Sequence, residues 1–246
     1  MKRVYNLKIE RQPFQRMNFR KLVSPLAKLP SFVDLRPKMP APYDQGTLGS
    51  CTANALCGVM QYDVPALQGS RLFLYYNERK LEHDIPDDAG ASLSDGIAVL
   101  RKYGLCEEAD WPYDITKFAV APPKLCYAKA LKRRAIDVSN IMNDVNAMKT
   151  SLVSGFPFVV GIKVYDTFES DEVAKTGLVP MPTEHDKELG GHAVVCVGYD
   201  DSRQVWIMRN SWGEAWGDKG YFYLPYTYLL DSSLSSDLWN IKSVSH

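Results

Sequence analysis

Residues 44–56 read DQGTLGSCTANAL, a single cysteine set among small residues where helical periodicity begins. Gln45 stands six residues before Cys51, and Gly49 and Ser50 directly precede it. Beyond Cys51, Ala55, Val59 and Tyr62 fall on one helical face with Leu56 and Met60 beside it, until Pro65 closes the pattern. A thiol at a helix start meets unpaired N–H groups and the positive end of the aligned backbone dipoles, which favour its thiolate. The glycine before it lets another backbone approach closely. A packed structural cysteine needs neither feature; a nucleophile uses both.

Outward from this stretch the chain changes character once. SRLFLYYNERKLEH (70–83) and SLSDGIAVLRKYG (92–104) predict two more helices, the second with Ser92 or Ser94 near its start and Gly104 past its end. Then FPFVVGIKVY (156–165), HAVVCVGYD (192–200), VWIMRN (205–210) and GYFYLPY (220–226) predict short strands, with one helix inserted near 143–154. Helices first and strands later imply an α+β protein of two segregated lobes, the seam near residue 130 and a cleft between them.

Composition narrows the classes. With 246 residues, 46% hydrophobic and 24% charged, the chain can bury a large core. Twenty-nine basic and 29 acidic residues cancel, so no overall field points to nucleic acid or an anionic membrane. The charge is nevertheless segregated. Residues 1–28 hold Lys2, Arg3, Lys8, Arg11, Arg16, Arg20, Lys21 and Lys28 against Glu10 alone, while 81–114 hold nine acids against Arg101 and Lys102. Two readings follow: two solvated faces, or a basic arm docked on an acidic surface.

No apolar run is long enough to span a bilayer, and the basic start lacks the apolar core of a signal peptide. Five scattered cysteines without a CxxC pair are not a disulfide framework or a zinc ribbon, although a Cys106–Cys126 bridge stays open. These points predict a cytoplasmic protein, or one exported without a cleavable signal peptide. Glu184, His185, Asp186 and Glu188 sit together on a polar loop that reads as a solvated face, so no metal and no cofactor are expected.

A cysteine nucleophile needs a base, an orienting partner for that base and a donor for the oxyanion. His83 and His185 lie in acid-rich loops and His246 ends the chain; only His192 opens a buried strand, after Gly190 and Gly191. Asn210 leaves the following strand and can accept from the imidazole N–H, with Trp212 or Trp216 laid over that bond to exclude water. Gln45 can offer its side-chain amide to an oxyanion beside the Cys51 backbone N–H.

The order Gln45, Cys51, His192, Asn210 resembles the papain-like cysteine peptidases, the cathepsin group. DQGTLGSCTANAL is similar to their nucleophile segment, GGHAVVCVGYD to their histidine strand and RNSWGEAWGDKGYFYL to their Asn-Ser-Trp-Gly segment. LPSFVDLRP resembles their mature start and DAGASLSDGIAVLRKYGLCEEADWPYD a segment of their left lobe, so the likeness spans about residues 30–225. His192 lies 141 residues beyond Cys51, within the family's spacing of about 130–150.

The resemblance implies a papain-like two-lobed fold: a helical left lobe (about 42–130), an antiparallel, β-barrel-like right lobe (about 131–225) and a C-terminal segment, 226–246. It implies hydrolysis of a protein or peptide substrate through a thioester acyl-enzyme. Gly49, Ser50, Ala89, Gly90, Gly161 and Gly191 would line the substrate, and the small ones suit a bulky apolar residue two before the scissile bond. A transpeptidase or ligase would use the same thioester, and a catalytically silent binding module would keep only the fold.

Departures from the family pattern are local. Leu48 stands where relatives carry a cysteine bridged to the left lobe, and Thr52 replaces an aromatic. Both resemble prokaryotic and viral members. The family's long helical pro-segment does not fit into residues 1–29, so this short arm would either lie across the cleft or brace the back of the domain.

Overall fold

Side-chain caps set where several of the helices start. A computed structural model describes residues 3–9 and 29–245. The elements run β1 (Phe32–Asp34), α1 (Cys51–Asp63), α2 (Arg71–Leu81), α3 (Leu93–Lys102), α4 (Lys124–Ala130), β2 (Ala135–Asn140), α5 (Val145–Val153), β3 (Phe158–Tyr165), α6 (Asp171–Thr176), β4 (Glu188–Asp200), β5 (Val205–Arg209), β6 (Tyr221–Pro225), α7 (Tyr226–Leu230) and β7 (Ser235–Val244). Ser70 accepts from Phe73 N–H, Ser92 from Asp95 N–H and Asp144 from Ala147 N–H, capping α2, α3 and α5.

Helix α1 is buried on every side from Cys51 to Met60, not along one face, because it lies between α2 and α3 and the sheet strands β4 and β7. The sheet is antiparallel in order β2-β7-β3-β4-β5-β6, with β1 added to β4. Strand β4 is its spine. Ala193, Val195 and Val197 join the cluster shared with the helices, while Val194 and Cys196 join the cluster on the other face. Strands buried on both faces read as unbroken apolar runs, as HAVVCVGYD does.

The α+β architecture expected from the sequence is present, with more strand than the sequence announces. The histidine strand begins at Glu188, before the expected Gly-Gly-His start. Residues 235–244, within the segment set apart at the C-terminus, form β7 in the interior of the sheet between β2 and β3. Most basic residues of the N-terminal arm (Lys2, Arg11, Arg16, Arg20, Lys21, Lys28) and His246 lie outside the described residues.

Candidate active site

Register on β4 and the end of β5 bring the chemistry together. His192 pairs with Ile162 across β3, and Arg209 pairs with Val195 across β5, so Asn210 leaves the ladder beside the histidine. His192 Nε2 lies 2.8 Å from Asn210 Oδ1. That oxygen also accepts from Ser211 N–H at 2.8 Å, which fixes its orientation. An amide oxygen is an acceptor, so Nε2 carries the proton and Nδ1 is left with its lone pair. Nδ1 is buried and has no hydrogen-bond partner among the described residues. Trp212 stacks on the imidazole at 5.3 Å between ring centroids and 30° between planes.

Cys51 is the first residue of α1, and the Ala193 backbone N–H, next to His192, lies where it favours the thiolate. The N-cap residue Ser50 makes no capping bond. Its hydroxyl lies 2.5 Å from the Tyr113 hydroxyl and accepts from Asn54 Nδ2 at 3.0 Å, so the first-turn N–H groups stay uncapped beside the sulfur. Burial pushes the Cys51 thiol up to about 12, with the Ala193 N–H opposing, and pushes His192 down to about 4, with Asn210 opposing. As the chain stands, thiol and imidazole are therefore neutral.

Gln45 is 1% exposed. Its amide nitrogen donates to Leu48 O at 3.0 Å, and its oxygen accepts from Ser211 Oγ at 2.5 Å. Ser211 O in turn accepts Gln45 N–H at 2.9 Å, so the loop after Asn210 orients the amide, which keeps a second N–H.

The groove beside these groups is filled by the chain itself. Residues 3–9 run along it, with Asn6 in an isolated bridge to Gly191. Arg3 lies over Trp212 at 4.9 Å and pairs with Asp44 at 3.3 Å. The Tyr5 ring meets His192 edge-on at 6.0 Å and 88°, and its hydroxyl donates to Glu169. Asn6 bridges Gly191 in parallel and donates to Asp88 O at 2.7 Å. Leu7 N–H donates to Gly191 O at 3.1 Å and Lys8 N–H to Ala91 O at 3.0 Å.

The glycines expected to line a substrate touch this segment. A Cβ on Gly90 would come within 1.7 Å of Asn6 O, and one on Gly161 within 2.7 Å of Leu7 Cδ2. One on Gly191 would meet Leu7 O at 2.8 Å, and one on Gly49 the Asn6 Nδ2 at 3.0 Å. Ala89 stands half-buried beside Gly90. The Ser50 hydroxyl is instead committed to Tyr113 and Asn54.

Sequence reading passed over Asp88. Its carboxylate accepts the Gly49 N–H at 3.0 and 3.1 Å and the Tyr75 hydroxyl, tying the nucleophile segment to the far wall. Arg79, buried against Tyr75 at 4.2 Å, stiffens that wall by donating to the carbonyls of Ile85 at 2.6 Å and Asp87 at 2.9 Å. One acid among the nine in residues 81–114 carries no mark of such a role. All five cysteines, Cys106 and Cys126 included, are free thiols. Among the described residues no three His, Cys, Asp or Glu side chains are grouped to hold a metal ion, and no helix is long and apolar enough to cross a membrane.

A family profile described as papain family cysteine protease matches residues 29–229. An uncharacterized peptidase C1-like protein of Acanthamoeba polyphaga mimivirus is 42% identical over 239 residues, 92% of this chain and 76% of that protein. A viral cathepsin of Spodoptera litura multicapsid nucleopolyhedrovirus is 27% identical over 85% of this chain, which spans 61% of the viral protein. Among solved structures, Xylellain, a cysteine protease from Xylella fastidiosa, superposes with a TM-score of 0.90 at 38% identity, covering 97% of this chain and 96% of that one. Digestive procathepsin L 3 of Tenebrio molitor shares the fold at a TM-score of 0.70 and 20% identity.

Proposed function

The chain belongs to the papain family of cysteine proteases, and on that premise we propose that it hydrolyses peptide bonds through Cys51, His192 and Asn210 and is held closed by its own residues 3–9. One observation carries the reading: a buried imidazole whose Nε2 is bound to Asn210 at 2.8 Å and whose Nδ1 is open, beside a thiol at a helix start.

His192 Nδ1 takes the thiol proton, and the sulfur attacks the peptide carbonyl. The Cys51 N–H and the second Gln45 N–H hold the oxyanion. The C–N bond breaks as His192 returns the proton to the departing amine. Water, deprotonated by His192, then releases the acyl group from sulfur. Asn210 keeps the proton on Nε2 throughout, and Trp212 keeps water from that bond.

The arm supports the substrate assignment. Leu7, 7% exposed, fills the seat between Gly161 and Gly191 expected for the residue two before the scissile bond, which favours a bulky apolar side chain there. The arm continues past His192 to Arg3 on one side and Lys8 on the other, so the groove takes an internal stretch of chain, as an endopeptidase requires. Its direction is the reverse of a substrate's acyl half, because the arm leaves His192 towards its C-terminal end. It thus blocks the cleft without presenting a carbonyl for attack. Residues 1–29 are on this reading a short pro-segment and 30–246 the peptidase domain.

The test is intact mass after exposure to a peptidyl epoxide, for the wild-type chain, Cys51→Ala, and a Tyr5→Ala/Leu7→Ala arm variant. Single labelling that requires Cys51 and quickens in the arm variant is expected. No labelling of the arm variant, with its thiols still titratable, would overturn the peptidase reading.

A further inference from the structure

The seat beyond Leu7 has a chemistry of its own. Lys8 Nζ pairs with Asp84 at 2.7 Å and with Glu82. Glu82 follows the last residue of α2, and its side chain is only 16% exposed against 41% for Asp84. The turn that carries both is tied at several points. Asp84 N–H donates to Arg79 O at 2.9 Å, His83 between the two acids holds a left-handed φ of 62°, and Arg79 anchors the carbonyls of Ile85 and Asp87 beyond them. Asp95 of α3 lies near Glu82 and raises its affinity for a proton, and the Lys8 ammonium opposes this by holding Glu82 towards its charged form. The Arg79 guanidinium donates to backbone carbonyls, of Ile85, Asp87 and Phe118. When the arm leaves, the ammonium that pairs with Glu82 and Asp84 leaves with it.

Lys8 is placed there by its backbone as well, since its N–H meets Ala91 O while Leu7 occupies the apolar seat one residue nearer His192. Counting outward from the catalytic pair, a substrate's third residue before the scissile bond would reach the place of the Lys8 side chain. We infer that Glu82 and Asp84 form a cation-recognising subsite that selects Lys or Arg three residues before the scissile bond. The arm closes the cleft by supplying that cation itself. The inference rests on the peptidase reading of the cleft. A long side chain is needed to reach both carboxylates, and a carboxylate in the same place meets like charge.

The experiment uses the full chain carrying Leu7→Asp, which puts a carboxylate into the apolar seat and frees the arm. Three peptidyl epoxides, identical except for Lys, Ala or Glu at the third position, are compared by the rate at which Cys51 gains their mass. The Lys probe should label about tenfold faster than the Ala probe, and the Glu probe slower than both. The spread should shrink as ionic strength rises and collapse in a chain that also carries Glu82→Gln and Asp84→Asn. Equal rates for the three probes, with labelling intact, would overturn the subsite and leave the peptidase reading standing. Failure of every probe would overturn both.

A second measurement covers misfolding of Leu7→Asp. In the otherwise wild-type chain, Lys8→Ala should speed labelling by the Ala probe about tenfold, while Lys8→Arg keeps the closed rate. No acceleration in Lys8→Ala would refute a cation seat at Glu82 and Asp84.

Discussion

Leu7→Ala asks how firmly the arm is held. The leucine is 7% exposed, with Cδ2 seated where a Gly161 side chain would otherwise stand. The substitution removes three buried carbons, each worth about 0.8 kcal/mol of transfer free energy, or about 2.4 kcal/mol together. No added cavity penalty is expected, because water enters a groove as the arm lifts. At 1.36 kcal/mol per decade the open fraction rises about 60-fold. The assay is the second-order rate of epoxide labelling at Cys51, followed by intact mass in the full chain, with thermal melts to show that the fold is retained. The expected result is a rate about 60-fold above wild type, or a plateau where the arm is fully open. An unchanged rate, together with acceleration by Tyr5→Ala, would refute Leu7 as the anchor. Unchanged rates in both would refute closure by the arm.

Acid should open the cleft. Burial holds His192 down at about 4, whereas an exposed imidazole titrates near ~6.5, so the open form binds a proton that the closed form refuses. Between those values opening gains up to about tenfold per pH unit; a wild-type to Leu7→Ala labelling ratio that stays flat with pH would sink this coupling. Glu78 is fully buried, with Oε2 accepting from Thr52 Oγ1 at 2.8 Å and Oε1 unpartnered among the described residues, and burial raises it from 4.5 to about 8. A raised folded-state value gives stability that is present below 4.5 and lost as pH rises through 8. Glu78→Gln should flatten that loss by about 3 kcal/mol between pH ~5 and ~8 in urea titrations, and parallel pH slopes for the two proteins would count against it. Gln45→Ala should lower kcat by about 10²–10³ with KM little changed, measured in an arm-released background; undiminished kcat would remove Gln45 from the oxyanion site.

What could be read from the sequence was what repeats locally. Caps at Ser70 and Ser92, the stop at Pro65 and the doubly buried run of β4 are local patterns, and the helices and central strands stand where those patterns put them. Strand β7 was not legible because SSDLWNIKSV alternates too weakly; its burial comes from neighbours more than 70 residues earlier in the chain, across β3. The same division holds at the cleft. Cys51, His192 and Asn210 stood out because each breaks a local pattern with a chemically capable side chain. Asp88 and Tyr75 did not, since their roles exist only once the wall loop folds onto Gly49. The basic arm and the acidic stretch were visible as charge, but their match resolves into particular pairs, Lys8 with Glu82 and Asp84.

The hydrogen bonds from Gly49 and Tyr75 to Asp88 bear on where such a protein can work. They tie the nucleophile segment to the opposite wall, and residues 44–56 carry no cysteine besides Cys51. The carboxylate clamp joins the same two walls by groups that no thiol reagent attacks, and every cysteine of the chain is free. Alignment of the cleft is thereby uncoupled from the redox state of its surroundings. Glutathione or thioredoxin would find no disulfide to reduce, and an oxidant that reached the buried Cys51 would act on the proposed nucleophile itself.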